Sequence, residues 1–240
     1  MKGSMKGNTN LSALLWDESY LWGVWLYDAL RKSGIAFDII KANELNKIDK
    51  YKVLFVPGGW ASNKIVALGD KGSRLIKEFV AKGGVYFGIC GGAGLATKDG
   101  LGLVAIKRKK DRVPSFSGPF LASLTPHPLW QGIRKPRFYL WWPSEFSIED
   151  ENIKVLATFK SPLPGSFSSD LSVDDFSNNF QELETLYGIK LDPRKLTNTP
   201  LVVEAPFDRG KVILSLIHFD TPYDKNGLKV FKNLKEIYSL

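Results

Sequence analysis

The 240-residue chain has one cysteine, Cys90, two histidines, His127 and His218, and two methionines, Met1 and Met5. A lone thiol excludes an intramolecular disulfide framework and a zinc site built on several cysteines. Two histidines are too few for a His-rich metal centre, so neither metal nor cofactor is expected. Long apolar runs are also missing. The longest uncharged stretch, "VPSFSGPFLASLTPHPLWQGI", is broken by Pro114, Pro119, Pro126 and Pro128, which excludes one membrane-spanning helix. No good export signal is present, because "LSALLW" is short for an apolar core and runs into Asp17 and Glu18. The expectation is a cytoplasmic protein that does not bind membranes, with the repeated "MKGSMKG" in residues 1–10 as a disordered leader.

The charge is unbalanced, at +8 from 33 basic and 25 acidic side chains. That suits anionic partners but says nothing of fold. The densest basic run is "IKRKKDR", residues 106–112. It comes without a zinc-finger, RNP or basic-zipper pattern, so it reads as a solvated loop or hairpin and no specific nucleic-acid binding is expected.

What is present is an ordinary globular composition, 44% hydrophobic and 24% charged, in a chain of one domain's length. The first half alternates. "LSALLW", "IAFDII", "YKVLFVPGG" and "VYFGIC" read as strands. "SYLWGVWLYDALRKSG" and "DKGSRLIKEFVAKGG" read as helices that stop at glycine, and a further turn and helix open at "GGAGLAT". This rhythm predicts an α/β fold with a mainly parallel sheet and helices on both faces. Its ligand edge lies where the parallel strands end. The second half is less regular. "GLGLVAIK", "FLASL", "RFYLWW" and "IKVLATF" predict an antiparallel extension. Residues 161–200 are polar and read as an insertion or lid, with a helix over "VDDFSNNFQELETLYG". The chain returns with "PLVVEAPF", "KVILSLIHFD" and a final helix "NGLKVFKNLKEIYSL".

Gly88-Ile89-Cys90-Gly91-Gly92 is G-x-C-x-G, the cysteine form of a nucleophile elbow. A sharp strand-to-helix turn needs small residues on both sides of the nucleophile, and amides at a helix start favour negative charge on sulfur. The competing reading is a buried structural thiol, and on the motif alone the two stand level. Context adds a base and an acid. His218 follows the apolar run "KVILSLI", and Asp220 lies two residues on, on the same side of an extended chain. Together they supply the second and third roles of a triad. An oxyanion hole needs two amides: Gly91 offers one, and the "VPGGW" turn another at Gly58, Gly59 or Trp60. His127 is a rival base in a proline-broken stretch where packing is the more common role. Glu18 and Glu145 are candidate pocket carboxylates, against the ordinary reading of solvated acids. The tryptophans read mostly as core, with Trp60 the best candidate for a pocket wall.

"VPGGW…GSRLIKEFVAKGGVYFGICGGAGLA", with "HPLW" and "GKVILSLIHFD", resembles the class I glutamine amidotransferase-like superfamily. Within it, the chain is most similar to stand-alone proteins like the N-terminal domain of some biotin–protein ligases. The resemblance implies a flavodoxin-like, doubly wound α/β fold over residues 1–240. It also implies a triad of Cys90, His218 and Asp220, with Gly59 and Gly91 at the oxyanion hole. The chain departs in having His-x-Asp where amidotransferases usually show His-x-Glu. The implied activity is hydrolysis of a small amide or γ-glutamyl substrate through a thioester, with a synthase partner if ammonia is transferred. Two alternatives keep the fold: a non-catalytic binding or regulatory module, and a Cys-based peptidase or redox-responsive protein of the DJ-1/PfpI-like type.

Overall fold

The computed structural model describes residues 11–16, 20–109, 116–176 and 178–240, without the side chains of Tyr20 and Leu21. The leader reading, Glu18 and part of the basic run fall outside them.

The chain opens with β1 (Ser12–Leu15), α1 (Tyr20–Lys32), β2 (Phe37–Ile40), β3 (Val53–Val56), α2 (Ala61–Ala81), β4 (Val85–Ile89) and α3 (Gly91–Leu95). These are the strands and helices that the alternation predicts. There are two differences. A 3-10 segment fills Ala42–Lys50, and α2 begins directly after Trp60, well before the expected start. The early start is tolerated because Gly69 takes φ +57 and breaks the helix, a left-handed conformation that glycine adopts without a Cβ penalty. The second half runs β5 (Ile106–Arg108), β6 (Phe116–Leu124), β7 (Arg137–Trp141), β8 (Phe146–Ile148), β9 (Lys154–Pro162), β10 (Phe167–Ser168), β11 (Leu171–Ser172), α4 (Val173–Phe176), α5 (Phe180–Tyr187), β12 (Pro200–Phe207), β13 (Gly210–Ser215) and α6 (Lys225–Tyr238). Of "GLGLVAIK", only the end is strand. The helix expected over 173–188 is two pieces, α4 and α5.

Among the described residues one sheet holds eleven strands, in the order β11-β10-β6-β9-β12-β13-β4-β3-β1-β2, with β7 on β6. The run β2-β1-β3-β4-β13 is parallel throughout, the flavodoxin-like order. Beyond β13 every pairing is antiparallel. Residues 167–172 pair onto β6 and its neighbour at the far sheet edge.

Both faces of the parallel half are covered, which is why "VLFV" and "VYFGI" are buried along their whole length. Phe231 of α6 meets Phe55 and Phe87 on one face. Tyr86, pointing the other way, donates its hydroxyl to the Gly92 carbonyl in α3 at 2.6 Å. The antiparallel half has its own aromatic centre. Phe159 stacks on Phe120 at 5.2 Å and meets Phe116 edge-on at 5.4 Å.

Candidate functional site

β3, β4 and β13 are neighbours in the sheet and run the same way, so the residues after them gather at one edge. After β4 comes Cys90, with φ +49 and ψ −106. A positive φ on a residue with a side chain is strained and persists only where its surroundings enforce it. The glycines enforce it here. A Cβ on Gly88 would lie 2.6 Å from the Gly92 carbonyl oxygen, one on Gly91 would lie 1.8 Å from that of Gly59, and one on Gly92 would lie 2.3 Å from that of Val56. The Cys90 amide donates to the Ser215 carbonyl at 2.7 Å, which ties the turn to the end of β13. Cys90 is partly exposed, so its thiol is not sealed in the core. Because α3 has only five residues, its dipole adds little at the sulfur.

His218 and Asp220 lie in a turn past the end of β13, not in an extended strand. The turn still joins them: His218 Nδ1 and Asp220 Oδ1 are 3.0 Å apart, and both side chains are buried. The His218 amide donates to the Tyr139 carbonyl at 3.0 Å. Burial alone would push the imidazole pKa down. The charges of Asp220 and Cys90, with the hydrogen bond to Asp220, outweigh it, and the pKa is raised. The bond to Asp220 has ordinary geometry. Nε2 is buried without such a partner, so its interaction with Cys90 is a looser one.

Gly58 leaves room for this ring, since a Cβ there would lie 2.9 Å from His218 Cε1. Gly59 has φ +97 and turns its carbonyl towards Gly91. Trp60 directly precedes α2 and is 72% exposed. Over Cys90 lies a cavity of about 330 Å³, lined by Trp22, Gly59, Trp60, Cys90, Trp141 and Trp142.

The structure therefore brings together Cys90, His218, Asp220, Gly58, Gly59, Trp60 and Gly91. Two other candidates stand elsewhere. His127 precedes a short 3-10 turn, where its Nδ1 accepts from the Leu129 amide at 3.2 Å and its Nε2 lies 3.6 Å from Glu204. Glu145 is buried and accepts from Lys109 at 3.0 Å. Neither lines the cavity, and nor does any described residue of 161–200.

Three tryptophans read as core prove to be cavity wall: Trp22, Trp141 and Trp142. Trp22 lies against the His218 ring, centroids 4.7 Å apart, and Trp25 backs it edge-on at 4.8 Å. The available signal was position, since Trp22 and Trp25 follow the first strand at the edge where ligands bind. Trp141 ends β7, in the antiparallel half, and Trp142 follows it, and nothing local to them points to Cys90.

Comparison with known proteins agrees with this fold. Residues 39–100 match the family described as biotin-protein ligase, N terminal. No curated protein matches the sequence. Among solved structures, PurLQS from Thermotoga maritima is similar at TM-score 0.65 and 15% identity, over 94% of this chain and 97% of that one. A glutamine amidotransferase is similar at TM-score 0.60 and 17% identity, over 96% and 100%. The β-galactosidase of Bacillus circulans sp. alkalophilus is similar at TM-score 0.61 and 16% identity over 96% of this chain, which spans only 31% of that enzyme. The chain thus has the fold of the class I glutamine amidotransferase-like proteins, and its segment 39–100 relates it to the N-terminal region of biotin–protein ligases.

Proposed function

We propose that the protein is a Cys-dependent amidohydrolase or glutamine amidotransferase-like enzyme, acting on a small amide or γ-glutamyl substrate through a thioester. One observation carries the reading: a partly exposed cysteine held at φ +49 shares a sheet edge with a buried His218–Asp220 pair that bears on it. Strain of this kind serves function when it presents a reactive group.

In this reading Cys90 Sγ, as thiolate, adds to the amide carbonyl carbon. The oxygen takes up negative charge beside the Gly91 N–H and an amide of the 58–60 turn. His218, as imidazolium, gives its proton to the departing nitrogen, the C–N bond breaks, and ammonia or an amine leaves the thioester. Neutral His218 then takes a proton from water while the water oxygen attacks the thioester carbonyl. The acid departs, and the thiolate–imidazolium pair is restored. Asp220 fixes the ring and supports its charge. Where the ammonia is used in synthesis, a synthase partner receives it.

Ammonia release from a panel of primary amides, measured for wild type, Cys90→Ala and His218→Ala, tests the reading. Turnover in wild type alone is expected. Release that survives Cys90→Ala would overturn it.

A further inference from the structure

Four tryptophans line the cavity over Cys90: Trp22, Trp60, Trp141 and Trp142. Among the described residues no charged side chain lines it. A free amino acid brought here would lose the hydration of its carboxylate with no cationic side chain among the described lining residues to replace it.

Part of the wall is set in place beforehand. Trp141 donates Nε1–H to Thr221 Oγ1 at 3.0 Å, and that hydroxyl donates to the His218 carbonyl at 2.8 Å. One indole plane is therefore fixed by the loop that carries His218. Trp142 has φ +51 and precedes Pro143. That φ is an outlier for a bulky side chain, and a residue before proline is normally extended. The backbone is strained where this indole reaches the cavity mouth. Trp142 is 58% exposed and Trp60 is 72% exposed, so two large apolar faces stay open to a ligand.

Aromatic walls can hold cations, but this set is poorly placed for one. Arg137 already lies over Tyr139 at 4.8 Å, and Tyr139 stacks on Trp141 with planes 6° apart. Trp22 backs onto the imidazole of His218. A second positive charge would meet both, in a chain of net charge +8.

We propose that the substrate amide is attached to a flat, uncharged aromatic group, which lies among these indoles while the carbonyl reaches Cys90. This rests on Cys90 being the reactive group, and of the two substrate classes in that reading it selects the small amide over the γ-glutamyl group. Stacking and edge contacts with ordered indoles favour such a group, and an aliphatic amide of the same length gains less from them.

The test compares alkylation of Cys90 by chloroacetamide and by N-benzylchloroacetamide, followed by intact mass and divided by the rates with a free thiol in solution. The benzyl reagent should be favoured by about tenfold or more. That ratio should fall towards one in Trp142→Ala and Trp60→Ala and recover in Trp142→Phe. A ratio near one in wild type, or one indifferent to both alanine substitutions, would overturn the inference and leave the reactive Cys90 standing. If neither reagent outpaces the free thiol, the reading of Cys90 fails. Quenching of tryptophan fluorescence in Cys90→Ala protein then decides the inference separately. Benzamide should quench where L-glutamine does not, less so in the Cys90→Ala/Trp142→Ala double variant, and equal quenching by both ligands would overturn it.

Discussion

The parallel strands β2-β1-β3-β4-β13 and the antiparallel strands beyond them form one continuous sheet, yet they contribute differently to the site. The parallel half places Cys90, the Gly58–Gly59 turn and His218 at adjoining strand ends, because parallel neighbours deliver their following loops to one edge. Among the described residues the antiparallel half sends one strand end, that of β7, to the cavity, and it brings Trp141 and Trp142. In our reading the first half supplies the reacting groups with Trp22 and Trp60, and the second adds Trp141 and Trp142 to the substrate walls. A sheet built this way can keep its chemistry while the antiparallel part varies.

The sharpest way to break that division is at the reacting groups. Cys90→Ala or His218→Ala should lower amide turnover by about 10³-fold or more, and Cys90→Ala should leave circular dichroism and unfolding midpoint little changed. Asp220→Asn should reduce turnover on the order of 10²–10⁴-fold. It should also lower the midpoint of the His218 ring in an NMR titration, because the carboxylate at 3.0 Å is one of the groups that raise it.

That titration carries a sign for stability. The folded-state value lies above the ordinary histidine value. His218 protonation therefore contributes stability that is fully present below about pH 6.5, the unfolded value, and is lost as pH rises through the raised value. Denaturant midpoints of wild type and His218→Gln, compared from acid to alkaline pH, should converge on the alkaline side.

Effects on folding come next. Phe159→Ala removes the ring that stacks on Phe120 and meets Phe116 edge-on and should cost about 3–5 kcal/mol in denaturant unfolding. The protein that remains folded should keep the wild-type rate of Cys90 alkylation. A change in that rate would mean that the halves are coupled and the division is wrong. Gly91→Ala sets a Cβ against the Gly59 carbonyl and should cost about 1–3 kcal/mol while slowing that same reaction. The smallest expected effect is at the surface. The exposed Lys82–Asp49 pair, 2.7 Å apart, should leave the unfolding midpoint unmoved in Lys82→Ala.

The same contrast governs how much could be read from the sequence. Buried parallel strands are short apolar runs, so β1, β3 and β4 stand out, and the G-x-C-x-G turn marks its own strand-to-helix junction. His218 and Asp220 are legible as a pair, although a turn and not strand pleat joins them. The antiparallel half is less legible because its pairings are long-range. Nothing near Trp141 reports that β7 pairs with β6 and that the Tyr139 carbonyl receives the His218 amide. Trp22 was hidden for another reason, since an indole on an amphipathic helix reads equally as core or as cavity wall. His127 and Glu145 read as pocket candidates by residue type, but local bonds to Leu129 and Lys109 hold them outside the cavity.

The central claim is that His218 makes Cys90 reactive, and the rate of Cys90 carbamidomethylation by iodoacetamide at neutral pH tests it most directly. Wild type should react faster than His218→Ala on the order of tenfold or more, because loss of the imidazolium removes the charge that favours thiolate. Equal rates in the two proteins would contradict the account.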